Sequence, residues 1–375
     1  MNLEALSETF ATTVWGLPLV FALVFSGIIF TFYFGFPQIR FFKHAILIIT
    51  GKFDRDSDRG EITHFQALCS ALSATIGLGN IAGVAVAISL GGPGAVFWLW
   101  VAGFIGMTTK FVEVTLSLNY RHITAEGKVH GGPMYVIKNA LPKKLGFLGV
   151  FYAVFVILSS LGAGNMFQSN QMSSVLLTSA NIPTWASGLI CAFFAYLILI
   201  GGIKRIGTVT SYLVPVMIGI YFAGALGIVL YHFQDISTVF SSIFEGAFLG
   251  TAAIGGFAGA GVKEIIVQGI RRATFSNEAG MGSAAMAHSA AKSNPVKEGL
   301  VSLLEPFIDT IVVCTITALA LLLTDSWHVT GIAGSEMTAY AFESVLGITG
   351  RWIVTLTVTL FAFSTLISWS YYGEQ

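Results

Sequence analysis

Charge is scarce in this chain. Its 375 residues carry 19 Lys and Arg and 19 Asp and Glu, 10% in all, where a soluble domain carries about 25%. So few charges cannot wet a globule of this size, which excludes a soluble fold, a disordered chain and a nucleic-acid binder. Neither sign is in excess, so no polyanionic partner is implied. Cysteine is scarce as well, and odd in number. Cys69, Cys191 and Cys314 each sit in an apolar stretch with no disulfide or zinc spacing, and read as small buried hydrophobes. A basic leader is also lacking. The chain opens with Glu4 and Glu8, and its first apolar run is too long for a secretory signal, so that run is expected to remain as a helix. There is no nucleophile–base constellation, phosphate-binding loop or metal-hydrolase spacing, so an enzyme is not expected.

What the chain has is apolar length: 55% of it is hydrophobic and the mean hydropathy is +0.79. A bilayer core asks for about 20 apolar residues per helix. Runs of that kind predict nine spans, at 13–36, 65–90, 95–118, 147–178, 185–203, 206–230, 240–270, 299–323 and 350–372. Residues 336–346 read as a short amphipathic surface helix. With the N-terminus outside and the spans alternating, the inner loops hold Arg40, Lys43, Lys52, Arg55 and Arg59, then Arg121, Lys128, Lys138, Lys143 and Lys144. They also hold Lys204 and Arg205, then Arg271, Arg272, Lys292 and Lys297, while only Arg351 sits at an outer end. That bias supports the topology under the positive-inside rule. No linker divides the chain, so residues 1–375 are expected to form one multi-pass domain in a plasma membrane.

Glycine is abundant, 42 residues, and it clusters inside two spans. One cluster runs from Ser70 to Gly83 through Gly77 and Gly79; the other is 250–261. Glycine costs a helix about 1 kcal/mol relative to alanine. Dense glycine at membrane depth therefore permits unwinding, and the freed backbone must be satisfied by protein, water or ligand. Freed carbonyls suit a cation, and freed N–H groups at the start of the next half-helix suit a carboxylate. A zwitterionic amino acid with a sodium ion satisfies both. Each cluster alone could be close helix packing through small residues. Two of them, four spans apart, point to an inverted repeat with a broken helix opening each half, and hence to a transporter. The competing class is a channel, whose filters can also be glycine-rich.

Two motifs narrow this further. Gly91-Gly92-Pro93-Gly94-Ala95-Val96-Phe97-Trp98-Leu99-Trp100 and the segment Arg271–Ser283, containing Asn277-Glu278-Ala279-Gly280-Met281-Gly282, resemble signatures of the alanine or glycine:cation symporters, also called sodium:alanine symporters. Leu99 stands where methionine is more usual, a volume-conserving change. The resemblance implies an all-α, leucine-transporter-like fold of two inverted five-helix repeats. Helix 13–36 would be an extra first helix, 65–230 the first repeat and 240–372 an incomplete second one ending after core helix eight. It implies sodium-coupled uptake of alanine or glycine, with proton coupling through Glu305 or Asp309 as an alternative.

The same resemblance implies the site. Sodium would be held by the carbonyls of Ser73, Ile76 and Phe361 and the hydroxyls of Ser364 and Thr365. The substrate carboxylate would meet Thr75, Gly77 and Gly79, and its ammonium the carbonyls near Gly255, Gly256 and Phe257. Gln168 would line the pocket, and Trp369, on the Thr365 face of its helix, would wall it against long side chains. Asn80 could either brace the broken helix or line a cation position. The span-embedded charges Lys110, Glu113, Glu305, Asp309, Lys263 and Glu264 read as internal ion pairs or gate elements rather than substrate ligands, and His288 as structural.

Overall fold

A computed structural model describes residues 7, 9–10, 13–55, 58–249 and 261–375. Helices account for nearly all of it. Helix α1 is Leu17–Tyr33. Helix α2, His64–Thr75, starts from a reciprocal cap in which Gln66 N donates to Thr63 Oγ1 and Thr63 N donates to Gln66 Oε1. It is followed by α3, Gly79–Gly91, bent 53° away from it. After a turn at Gly92 comes α4, Gly94–Asn119, then a small hairpin of β1, His122–Ile123, and β2, Val129–His130. Helix α5 spans Lys143–Ala180, α6 Thr184–Leu199 and α7 Gly202–Tyr231. Helices α8, Ile236–Leu249, and α9, Val262–Asn277, flank the second glycine cluster, whose residues 250–260 lie outside the described residues. The short α10, Ala284–Ser289, precedes α11, Pro295–Leu323, then α12, Ser335–Leu346, and α13, Ile348–Glu374.

Among the described residues five helices are each long and apolar enough to cross a bilayer, and the bent pair α2–α3 adds a sixth. The apolar α1 and α6 are shorter, and the predicted span 240–270 takes in most of α8 and the start of α9, with 250–260 outside the described residues. Helices α4, α11 and α13 form the interior: 72% of the apolar window of α11 is buried, against 17% for α5. Outward faces of α1, α5 and α6 carry exposed Phe21, Phe25, Phe151, Phe193 and Phe194, a surface suited to lipid and not to water. Helix α12, expected as an amphipathic surface helix, buries Met337, Thr338, Ala341 and Phe342 and shields the core under its apolar stripe.

The Gly91–Trp100 motif has a packing role. Gly92, at φ 66°, makes the turn in a conformation glycine adopts without strain. A Cβ on Gly94 would strike the Gly246 carbonyl, so α4 and α8 touch backbone to backbone. Trp98 Nε1 donates to the Ala247 carbonyl at 3.2 Å and Trp100 Nε1 to Thr315 Oγ1 at 2.7 Å, satisfying both indoles.

Three of the basic loops assemble on one face. Arg121 donates to the carbonyls of Arg59, Ser289, Ala291 and Ser293, and Lys292 N to the Ile62 carbonyl at 2.8 Å. Burial lowers the Arg121 pKa from its ordinary value, opposed by the charges of Glu298 and Asp58.

Candidate functional site

The break in the first glycine cluster is a built joint. Ile76 closes α2 in an extended conformation, φ −76° and ψ 92°. Gly77 then passes so near α13 that a Cβ on it would sit 2.6 Å from Thr365 Oγ1, and one on Gly79 would sit 3.0 Å from the Ser276 backbone. Both glycines are there for approach. Asn80 pins the joint: its Oδ1 accepts from Gly77 N at 2.9 Å, and its Nδ2 donates to Asp309 Oδ1 at 2.7 Å. The Asn80 side chain thus bonds both the break and α11. The Gly77 N–H, expected to face a substrate carboxylate, is here taken by Asn80.

A cavity of about 100 Å³ lies beside this joint, lined among others by Thr75, Gly77, Gly79, Gln168, Thr365 and Trp369. That is room for a few waters or one small molecule. Two buried polar atoms lining it, Gln168 Oε1 and Thr365 Oγ1, lack partners among the described residues. Both converge on Gly77, since the Cβ position of Gly77 lies 2.6 Å from the hydroxyl and 3.9 Å from the amide oxygen. Unpaired buried polar atoms are costly, so their convergence marks a place shaped for a polar ligand. Gly77→Ala fills that place. We expect ligand affinity to fall by roughly 5- to 150-fold, from about 1–3 kcal/mol of overpacking, as measured by titration calorimetry.

The sequence reading missed Glu278, although it lies within the second motif. This residue ends α9 at φ 56°, a left-handed cap usually left to glycine or asparagine. The turn is held by Asn277 Oδ1 accepting from Ala279 N, and Gly280 N donating to Glu113 Oε1 at 2.8 Å. It brings the Glu278 carboxylate to the cavity wall. There Oε1 accepts from Trp369 Nε1 at 3.0 Å and Oε2 from Ser283 Oγ. Trp369 is buried, lines the cavity and has its indole held by this bond. Across from it Gly164 packs on Trp369 so closely that a Cβ would clash, which fixes the ring against α5.

Of the expected sodium ligands, three meet. Ser364 Oγ lies 3.2 Å from the Ser73 carbonyl and 3.0 Å from the Phe361 carbonyl, and Ser73 Oγ donates to the Ser364 carbonyl at 2.7 Å. Ile76 is buried at the break and Thr365 faces Gly77. These donors are all neutral oxygens, the set a hard monovalent cation takes; the unpaired Thr365 hydroxyl fits the same use. Gly255, Gly256 and Phe257 lie outside the described residues.

The embedded charges pair between helices, not along them. Lys110 Nζ lies 3.1 Å from Glu305 Oε2 of α11, while Glu113, its neighbour on α4, bonds Gly280 N. Asp309 accepts from Asn80, Ser276 and Thr310. Lys263 and Glu264 are exposed at the start of α9. His288, read as structural, stands between Glu298 and Glu305.

Fold and site together define a polytopic helical membrane protein with a small polar cavity beside a broken helix. The chain belongs to the sodium:alanine symporter family, which it matches over residues 1–375. It is 40% identical to the sodium/alanine symporter AgcS of Methanococcus maripaludis, over 100% of this chain and 83% of that protein. It is 36% identical to a probable sodium/glutamine symporter, GlnT, of Bacillus subtilis, over 96% of this chain and 74% of the relative. A putative sodium/proton-dependent alanine carrier protein of the same organism, YrbD, is 34% identical over 96% and 75%. These relatives are transporters and the chain is not an enzyme.

Proposed function

We propose that the protein carries a small neutral amino acid, alanine or glycine, together with sodium across the plasma membrane by alternating access. The supporting observation is the cavity itself: Gln168 Oε1 and Thr365 Oγ1 unpaired at Gly77, with the Glu278 carboxylate on the same wall. The ammonium of the amino acid binds Glu278. Its carboxylate binds the Thr365 side of the break, near the sodium held by Ser73, Ile76, Phe361, Ser364 and Thr365. Carbonyls near Gly255, Gly256 and Phe257 complete the ammonium site. The cavity volume and the fixed Trp369 ring favour a side chain no larger than methyl.

Two inverted repeats, 65–230 and 240–372, rock about this site, with helix 13–36 outside them, the N-terminus outside the cell and the basic loop face in the cytoplasm. One charge moving down 100 mV releases about 2.3 kcal/mol. A tenfold sodium gradient brings the total to about 3.7 kcal/mol, which sustains roughly 500-fold accumulation with one sodium.

Calorimetry of alanine binding to the purified protein tests this reading. Heat should appear in sodium chloride and be absent in choline chloride; equal binding in both salts would reject sodium coupling. Trp369→Ala should let larger amino acids such as leucine compete with alanine, gaining roughly tenfold or more. An unchanged competition profile would remove Trp369 from the wall.

A further inference from the structure

Five buried side chains from α2, α4, α10 and α11 line up from the basic loop face into the interior. His64 Nδ1 lies 2.5 Å from Glu298 Oε2 and Glu298 Oε1 lies 2.7 Å from His288 Nδ1. His288 Nε2 bonds Glu305 Oε1, and Glu305 Oε2 lies 3.1 Å from Lys110 Nζ. All five are at most 2% exposed, whereas Asp54, 3.2 Å from His64 Nε2, is 53% exposed. The row thus has one end in water. At the other end Lys110 shares α4 with Glu113, whose Oε1 accepts from Gly280 N, two residues from the cavity-lining Glu278.

Proton counting shows what such a row holds. Both nitrogens of His288 face carboxylate oxygens. A neutral imidazole has one N–H, so it can donate to only one of them. The other contact needs a second proton, on the ring or on the carboxyl. With rings protonated the row alternates in charge, Asp54 negative, His64 positive, Glu298 negative, His288 positive, Glu305 negative and Lys110 positive, and sums to zero. Each central link can reverse its donor and acceptor. The two terminal links, Asp54 to His64 and Glu305 to Lys110, are near but not aligned as hydrogen bonds, so a small rotation makes or breaks them.

We propose that Asp54, His64, Glu298, His288, Glu305 and Lys110 form a proton path between water at the basic loop face and the buried charge beside the cavity. In the neutral arrangement, with His64 protonated on Nδ1, Glu298 on Oε1 and His288 on Nε2, one proton enters from water at Asp54 and passes to the bare His64 Nε2. His64 Nδ1 releases its own to Glu298 Oε2, Glu298 Oε1 passes its proton to His288 Nδ1, and His288 Nε2 its proton to Glu305 Oε1, so each donor ends with the proton number it began with and one proton arrives at the Glu305–Lys110 pair. Other charges bear on the path. Arg121 acts on Glu298 from the end of α4, and Tyr372 of α13 feels Glu278 and Glu305.

Deuterium exchange of the histidine ring N–H groups tests the path without sodium or amino acid, so it stands or falls apart from the transport reading. Protein labelled with 15N-histidine is placed in lipid bilayers, moved into D2O, and the ring signals are followed by NMR, with His288 assigned by loss of its signal in His288→Gln. In the unaltered protein the His288 signal should vanish quickly, as for a group connected to water. Glu298→Gln, which interrupts the row, should slow that loss about tenfold or more. Should that variant fail to fold, Asp54→Asn at the exposed end should slow it in the same direction. Loss as slow as that of the buried core amides in the unaltered protein, or rates unchanged by both variants, would overturn the path.

Discussion

Glu278→Gln should weaken alanine binding by roughly 30-fold or more, the consequence of removing the charged partner of a buried ammonium, about 2–5 kcal/mol. The substitution is informative because it keeps the shape. Glutamine still offers an oxygen to Trp369 Nε1, which Glu278 Oε1 now accepts at 3.0 Å, and Lys110 retains Glu305 as its partner. The wall therefore stays in place while its charge is lost. Calorimetry at saturating sodium measures the effect directly. An unchanged alanine affinity would mean that the carboxylate serves only to hold Trp369 and Ser283, and the ammonium site would have to be sought elsewhere.

Thr365→Val should raise the sodium concentration needed for half-maximal alanine binding by roughly 10- to 150-fold. The change removes one oxygen from a charged ligand, worth about 1.5–3 kcal/mol, and alters side-chain volume little. Among the described residues Thr365 Oγ1 has no partner, so the loss is not that of a bond described within the protein. Its neighbour Ser364 differs, since its hydroxyl already bonds the Phe361 and Ser73 carbonyls, and a valine there would disturb the packing of α2 on α13 as well. If Thr365→Val leaves the sodium dependence unchanged, that hydroxyl belongs to the amino-acid site alone.

Much of the fold was legible because hydropathy and glycine act locally. Long apolar runs located the spans, and the glycines of 70–83 located the bend between α2 and α3. The second motif pointed to the turn at 277–283 without revealing what the turn does: only the left-handed backbone at Glu278 explains why a carboxylate there reaches Trp369, 91 residues away. Asn80 could not be assigned because both of its roles suit an amide next to a break, and its hydrogen bond to Asp309, 229 residues along the chain, is not written in any local pattern. The embedded charges were harder still. Sequence spacing reveals pairs three or four apart on one helix, and so sets Lys110 beside Glu113. The partner it takes, Glu305, comes from the packing of α11 on α4. No local pattern joins His64, His288 and Glu298, which meet only when three helices close.

The wide π-type turns at Gly79–Gly83, Ser160–Met166 and Phe307–Cys314 were equally invisible. They carry Asn80, Ala163 and Asp309, so each one either lines the cavity or braces the break. Such turns are frequent at functional sites, because they shift a helix face without ending the helix.

The most direct test is uptake of radiolabelled alanine into proteoliposomes under separate sodium, lithium and proton gradients. The proposed mechanism predicts saturable uptake that needs sodium outside, rises with an inside-negative potential and falls to background when choline replaces sodium. Uptake that is indifferent to sodium, or ion currents that flow without any amino acid, would contradict it.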